Sequence, residues 1–164
     1  MRVVTIILIC LFAAIFGFPQ SAKKSTNIDE FGILPCGDYL GHLDHIGNTV
    51  VENPSAQIFV LVYEGKTPQY AYKKDGTYSV RDVLPQYALA KTIIASMKQG
   101  LIQRQKRIPE FKIDRVVFVE AGFRESFRIE TWVVPDGIKP PPKAPTVEKM
   151  KYRKGKPVGF CFED

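Results

Sequence analysis

From Asp38 to Val51, the apolar residues Leu40, Leu43, Ile46 and Val50 recur every three or four positions, which lines one side of a helix. Asp38 is placed to cap the start of this helix, and Asn53-Pro54 to end it. The next run, Ala56 to Tyr63 (AQIFVLVY), is almost continuously apolar, as in a central strand covered on both faces. Gly65 to Val80 turns polar, with tyrosines at 70, 72 and 78 and the turn pair Asp75-Gly76, so it forms a long loop or a small extra hairpin. A second helix is expected from Leu84 to Gln99, with Pro85 in its first turn and Gly100 as its stop. Its buried stripe is Tyr87, Ala90, Ile93, Ile94 and Met97, while Lys91, Thr92, Lys98 and Gln99 face water.

The basic stretch Leu101 to Lys112 reads as a loop or a helical extension. Strands at Arg115–Ala121 and Phe127–Val134 follow, joined by the short turn GFRES. In the second strand, Phe127, Ile129, Thr131 and Val133 point one way and Arg128, Glu130 and Trp132 the other, which suggests one covered and one wet face. With a short first strand at Phe31–Leu34, the order is (β)αβαββ: an α+β chain folded as a two-layer α/β sandwich.

Both ends differ in character from this middle. Arg2 precedes an apolar run, Val3 to Phe18, broken only by Thr5; small residues at Gly17, Ser21 and Ala22 then lead to Lys23 and Lys24. That order describes a secretory signal peptide over residues 1–22, cleaved after Gly17 or Ala22. A retained anchor is the alternative, but a run of about 16 apolar residues is short for a span of about 20. Cys10 lacks the small residues that precede a lipidated cysteine. Residues 23–35 lead into a domain at 36–137, and residues 138–164 form a Pro-rich, basic tail. Within the tail, Lys139 to Pro145 (KPPPKAP) is expected to be extended polyproline. Lys149 to Lys156 gathers five cations around Tyr152, either as a solvated segment or as a contact for an anionic surface.

Export assigns the cysteines a role. Without the leader, Cys36 and Cys161 remain, one near each end of the domain, and suggest a bridge; two free thiols or a link to another chain stay open. The formal charge of +6 favours acidic partners without selecting one, and no specific nucleic-acid partner is expected.

Catalytic chemistry finds little footing. No glycine-flanked nucleophilic serine, P-loop or paired-cysteine metal pattern occurs. Asp38, His42 and His45 share the polar side of the first helix and form a weak metal candidate, since three ligands on one helix rarely converge. Cys36 with His42 is a conceivable nucleophile pair, but a bridged cysteine is the commoner state on export. Trp132 between Arg128 and Glu130 has the composition of a binding surface.

Three stretches, LDHIGNTVVENPSAQIFVLVYEG, YALAKTIIASMKQGL and DRVVFVEAGFRESFRIETWVVPDGIKPPPKAPT, together resemble the OmpA-like, peptidoglycan-associated domain of bacterial envelope proteins. The likeness covers about two-thirds of the chain. It is carried by the glycine-ending strand Val62-Tyr63-Glu64-Gly65, by Gly100-Leu101 after the second helix, by Arg115-Val116 opening a strand and by Gly122 in the turn. The resemblance implies an exported protein of the periplasm or cell envelope, or a secreted one. Members that bind peptidoglycan clamp diaminopimelate with an aspartate after the strand glycine and an arginine in the second helix. Here Pro68 and Leu89 stand at those positions, and neither carries charge.

A substitute clamp would draw on Glu64, Lys66, Arg81 and Asp82 around the same mouth, with a helix N-terminus nearby. The bland alternative leaves Asp82 as a helix cap and Arg81 in water. The expected function is a non-catalytic binding or scaffold domain without cofactors, whose partner is a cell-wall component or another envelope protein, reached through the loops at Gly65 to Arg81 and Gly122 to Ser126. The alternatives are a peptidoglycan tether using substituted residues and a small secreted hydrolase or metal-dependent enzyme.

Overall fold

The computed structural model describes residues 24–74, 76–157 and 161–162. The leader at 1–22 therefore lies outside the described residues. The elements are β1 (Thr26–Phe31), β2 (Leu34–Pro35), α1 (Cys36–Glu52), β3 (Ala56–Tyr72), β4 (Tyr78–Val83), α2 (Leu89–Gln105), β5 (Val116–Ser126), β6 (Arg128–Pro135) and β7 (Cys161–Phe162). The chain mixes helices and strands, as the α+β reading requires.

β3 is the axis of the sheet. Its first half pairs antiparallel with β6 on one edge and parallel with β5 on the other, and β1 lies antiparallel outside β6. β1 and the start of β3 both lie beside β6, so β1 begins at Thr26, upstream of the expected Phe31. Both helices pack on one face of this sheet. Leu43, Ile46 and Val50 of α1 and Ile93, Met97 and Leu101 of α2 meet Ile58, Val60, Val62 and Ile129 there. Fully burying an aliphatic side chain of this size contributes about 1.5–3 kcal/mol. Arg115 closes the end of α1: its guanidinium donates to the carbonyls of Val50 (2.9 Å), Asn53 and Ala56 (3.1 Å), groups that the turn into β3 leaves exposed.

Several elements differ from expectation. Leu40 is 59% exposed, because the helix stripe facing the sheet is narrower than its apolar spacing. Pro35 precedes α1 without a side-chain cap, and Asp38 sits inside the first turn. α2 begins at Leu89, not Leu84, so Pro85 and the 72% exposed Tyr87 precede it. It also runs through Gly100 to Gln105. A Cβ on Gly100 would lie 2.7 Å from Leu43 Cδ1, so this glycine permits close approach of the helices instead of ending one.

The two last strands do not form the expected hairpin. GFRES continues β5 to Ser126, and Phe127 alone links it to β6, on the far side of β3. Strands flanking a third lie about 10 Å apart, so the link must pass straight over β3. It does so at Gly65: any Cβ there would fall on the backbone of Ser126 and Phe127. The Phe127 N–H donates to Lys66 O at 2.8 Å and pins the crossing.

The stretch after Gly65 resolves as a hairpin. β3 continues beyond the sheet to Tyr72 and pairs with β4 as a two-stranded ribbon. The tail is not separate from the domain, although most of its side chains remain exposed. Ile138 packs on the sheet face opposite the helices, beside Phe59, Leu61, Tyr63 and Val134. From there the chain runs as a strap: Lys143 Nζ donates to Glu120 O (2.9 Å), Ala144 N to the Tyr63 hydroxyl (3.1 Å), and Thr146 N to Phe123 O (2.9 Å). The face expected to be wet is therefore covered, and Glu130 is buried beneath it. The strap ends in β7, parallel to β2.

Candidate functional site

The mouth lies where β3 and β5 leave the sheet and α2 begins. Alternation along β3 turns Val62 and Glu64 toward the helices, and the left-handed Ala88 (φ 64°) sets the start of α2 against them. Glu64 is buried, and both of its oxygens are engaged: Oε1 accepts from Ala90 N at 2.9 Å and Oε2 from the Tyr152 hydroxyl at 2.6 Å. The carboxylate thus satisfies a free amide of the first helical turn and faces the positive end of the helix dipole. It does what the sequence assigned to Asp82.

Tyr152 arrives from the strap. Its ring meets Tyr87 edge-on at 5.4 Å, and Arg153 N donates to Pro85 O at 3.0 Å beside the Gln86–Arg153 bridge. Burial, and then the Glu64 carboxylate, push the Tyr152 phenol above its ordinary range, so it stays protonated as the donor. A hollow of about 310 Å³ remains beside the pair, lined by Glu64, Tyr87, Lys91, Glu120, Phe123 and Tyr152.

The other proposed clamp residues do not join Glu64. Arg81 lies opposite Gln69 on the ribbon, about 16 Å along the strand from Glu64, and donates to Gln69 Oε1 from Nε (3.2 Å) and Nη2 (3.0 Å). Asp82 lies opposite Pro68 in β4 and caps no helix, and Lys66 is exposed near the Gly65 crossing. Of the two positions that carry the clamp in the resembled family, Leu89 is buried in the core and Pro68 is on the ribbon.

Arg128 and Trp132 lie on the strap side of the sheet. Arg128 Nε is 3.2 Å from Glu30 Oε1, in a half-exposed pair with β1. Trp132 Nε1 donates to Glu130 Oε2 at 3.0 Å, and Arg124 Nη2 donates to Glu130 Oε1 at 2.6 Å. The Arg124 guanidinium also stacks 3.8 Å from the Tyr63 ring centre, and its Nε donates to Ala144 O at 3.2 Å. Trp132 therefore serves a buried polar network under the strap instead of an open surface.

The metal candidate separates as well. His42 Nδ1 lies 2.6 Å from Asp29 Oδ2, and its ring stacks on Phe31 at 4.0 Å. Asp38 and His45 border the same open groove of about 480 Å³. Among the described residues, no three His, Cys, Asp or Glu side chains are placed to share a metal ion. Cys36 is disulfide-bonded, and β7 sets the backbone of Cys161 opposite Leu34; the Cys161 side chain lies outside the described residues.

Sequence reasoning missed Tyr152 as a site residue, along with Arg124 and Tyr63. The one available signal was an aromatic isolated within five cations. No family model, no curated protein and no solved structure matches the chain.

Proposed function

We propose that the chain is an exported, non-catalytic binding or scaffold domain of the bacterial cell envelope. In this reading it has an OmpA-like fold that has given up the diaminopimelate clamp, and its partner is another envelope protein or a cell-wall component. One observation carries this reading: the mouth holds the chain's own Glu64–Tyr152 pair, with both carboxylate oxygens engaged. Uncharged Pro68 and Leu89 at the clamp positions support it further. The disulfide at Cys36 accords with an oxidising compartment, and Cys161 is its proposed partner.

Sedimentation with purified cell-wall sacculi at low salt tests the reading. The expected result is no retention that depends on Glu64: wild type and Glu64→Gln should sediment alike. Retention of wild type that Glu64→Gln abolishes would replace the scaffold with a peptidoglycan tether, the reading favoured by the hollow that persists beside Glu64.

A further inference from the structure

One end of the molecule combines two features that the mouth does not use. The first is the β3–β4 ribbon, which extends past the sheet and pairs, among the described residues, only within itself. Its register sets Tyr70 opposite Val80, with Tyr78 next on the same side. Tyr78 is 60% and Val80 50% exposed, and the rings of Tyr70 and Tyr78 lie 5.9 Å apart. Lys73 and Lys74 stand at the tip, and the ribbon from 66 to 83 carries four cations against two carboxylates. A two-stranded ribbon gains little stability alone, so an aromatic side left in water is a cost that a docking surface would remove.

The second feature is the strap. The contacts of Tyr152 and Arg153 with Glu64, Pro85 and Gln86 hold it at the base of this ribbon. Lys149, Lys151, Lys154 and Lys156 are therefore fixed, exposed, beside the exposed Tyr87. The stretch 149–156 contains five cations and no acid. Export or solubility alone would not require lysines to be anchored next to tyrosines at one pole.

We infer that this pole docks on an anionic phospholipid surface. Lysines near such a surface each add attraction, and tyrosine is suited to headgroup depth because its ring is apolar and its hydroxyl polar. An aliphatic Val80 among the rings matches an interface with acyl chains below it, whereas a phosphate polymer offers it nothing. The inference is independent of the OmpA-like reading, since sacculus retention and lipid association are measured separately.

The test is flotation of the full chain with vesicles of phosphatidylcholine mixed with phosphatidylglycerol, and with vesicles of phosphatidylcholine alone. Comparing variants with wild type cancels whatever residues 1–23 contribute. Association should be at least about tenfold stronger with phosphatidylglycerol. Lys151→Gln with Lys154→Gln should weaken it roughly 30-fold. Tyr70→Ser with Tyr78→Ser should weaken it about tenfold, measured at a temperature where circular dichroism shows the variant folded. Three results would overturn the inference: equal association with both lipids, variants that float like wild type, or binding to soluble polyphosphate or DNA without vesicle association.

Discussion

Ile58, Val60 and Val62 on one side of β3 and Phe59, Leu61 and Tyr63 on the other are all sheltered from water, but by different means. The first three meet the apolar stripes of two helices, and contact there is aliphatic. The second three meet a strap without regular structure, held by backbone hydrogen bonds and by the Arg124–Glu130–Trp132 network. Helices cover a face by burying area, which is non-directional and cooperative. The strap covers its face through point contacts, each of which can open alone. A sheet with one face of each kind can release the strap while its core stays intact, and the mouth residue Tyr152 is carried by that strap, although its hydroxyl reaches round to Glu64 on the helix side.

Substitutions can break or sharpen this contrast. Gly65→Ala strikes the crossing that both faces depend on, because its Cβ would fall on the Ser126–Phe127 backbone. It should destabilise the protein by at least about 4 kcal/mol, measured by denaturant titration, with both faces lost together. Ile58→Ala on the helix side should cost about 3 kcal/mol and lower the midpoint of the single global transition. Arg124→Ala on the strap side leaves Glu130 buried without its cation, at a cost of about 2 kcal/mol. Replacing Arg124 and Glu130 together by Leu should cost less, which would show that the penalty lies in the unpaired charge.

Tyr152→Phe should have the smallest effect on stability, about 1 kcal/mol, because the ring contact with Tyr87 survives. Its clearer effect is local: trypsin should cleave faster at Lys149 to Lys156 with little change in the global midpoint. The pH dependence has a definite sign. The folded state raises the Tyr152 pKa, so its contribution is complete below pH about 10, where the unfolded phenol is still neutral, and fades as pH rises through the folded value. In the native protein, tyrosinate absorbance should therefore contain a late-titrating component that Tyr152→Phe reduces.

The strands and helices with an internal period were legible. Leu43, Ile46 and Val50 marked the inner side of α1, and the unbroken run at Ala56–Tyr63 marked a strand covered twice. The α2 boundaries were not, because Pro85 and Gly100 signal local preference, whereas contact with Glu64 and Leu43 set where the helix begins and how close it lies. At the mouth, Glu64 was found and its partners were not. Arg81 and Asp82 are near it in sequence but were carried off along the ribbon, while Tyr152 comes from 88 residues away.

Alternation and helical spacing are properties of neighbouring residues, so the chain alone marked the middles of the main helices and strands and the inner side of α1. It also determined the charge pattern of the tail. What covers the second face, where β5 crosses to β6 and which donor meets Glu64 were decided only in three dimensions. Each depends on a contact between distant segments, and the cost of closing such a loop grows too slowly with its length to single out one partner.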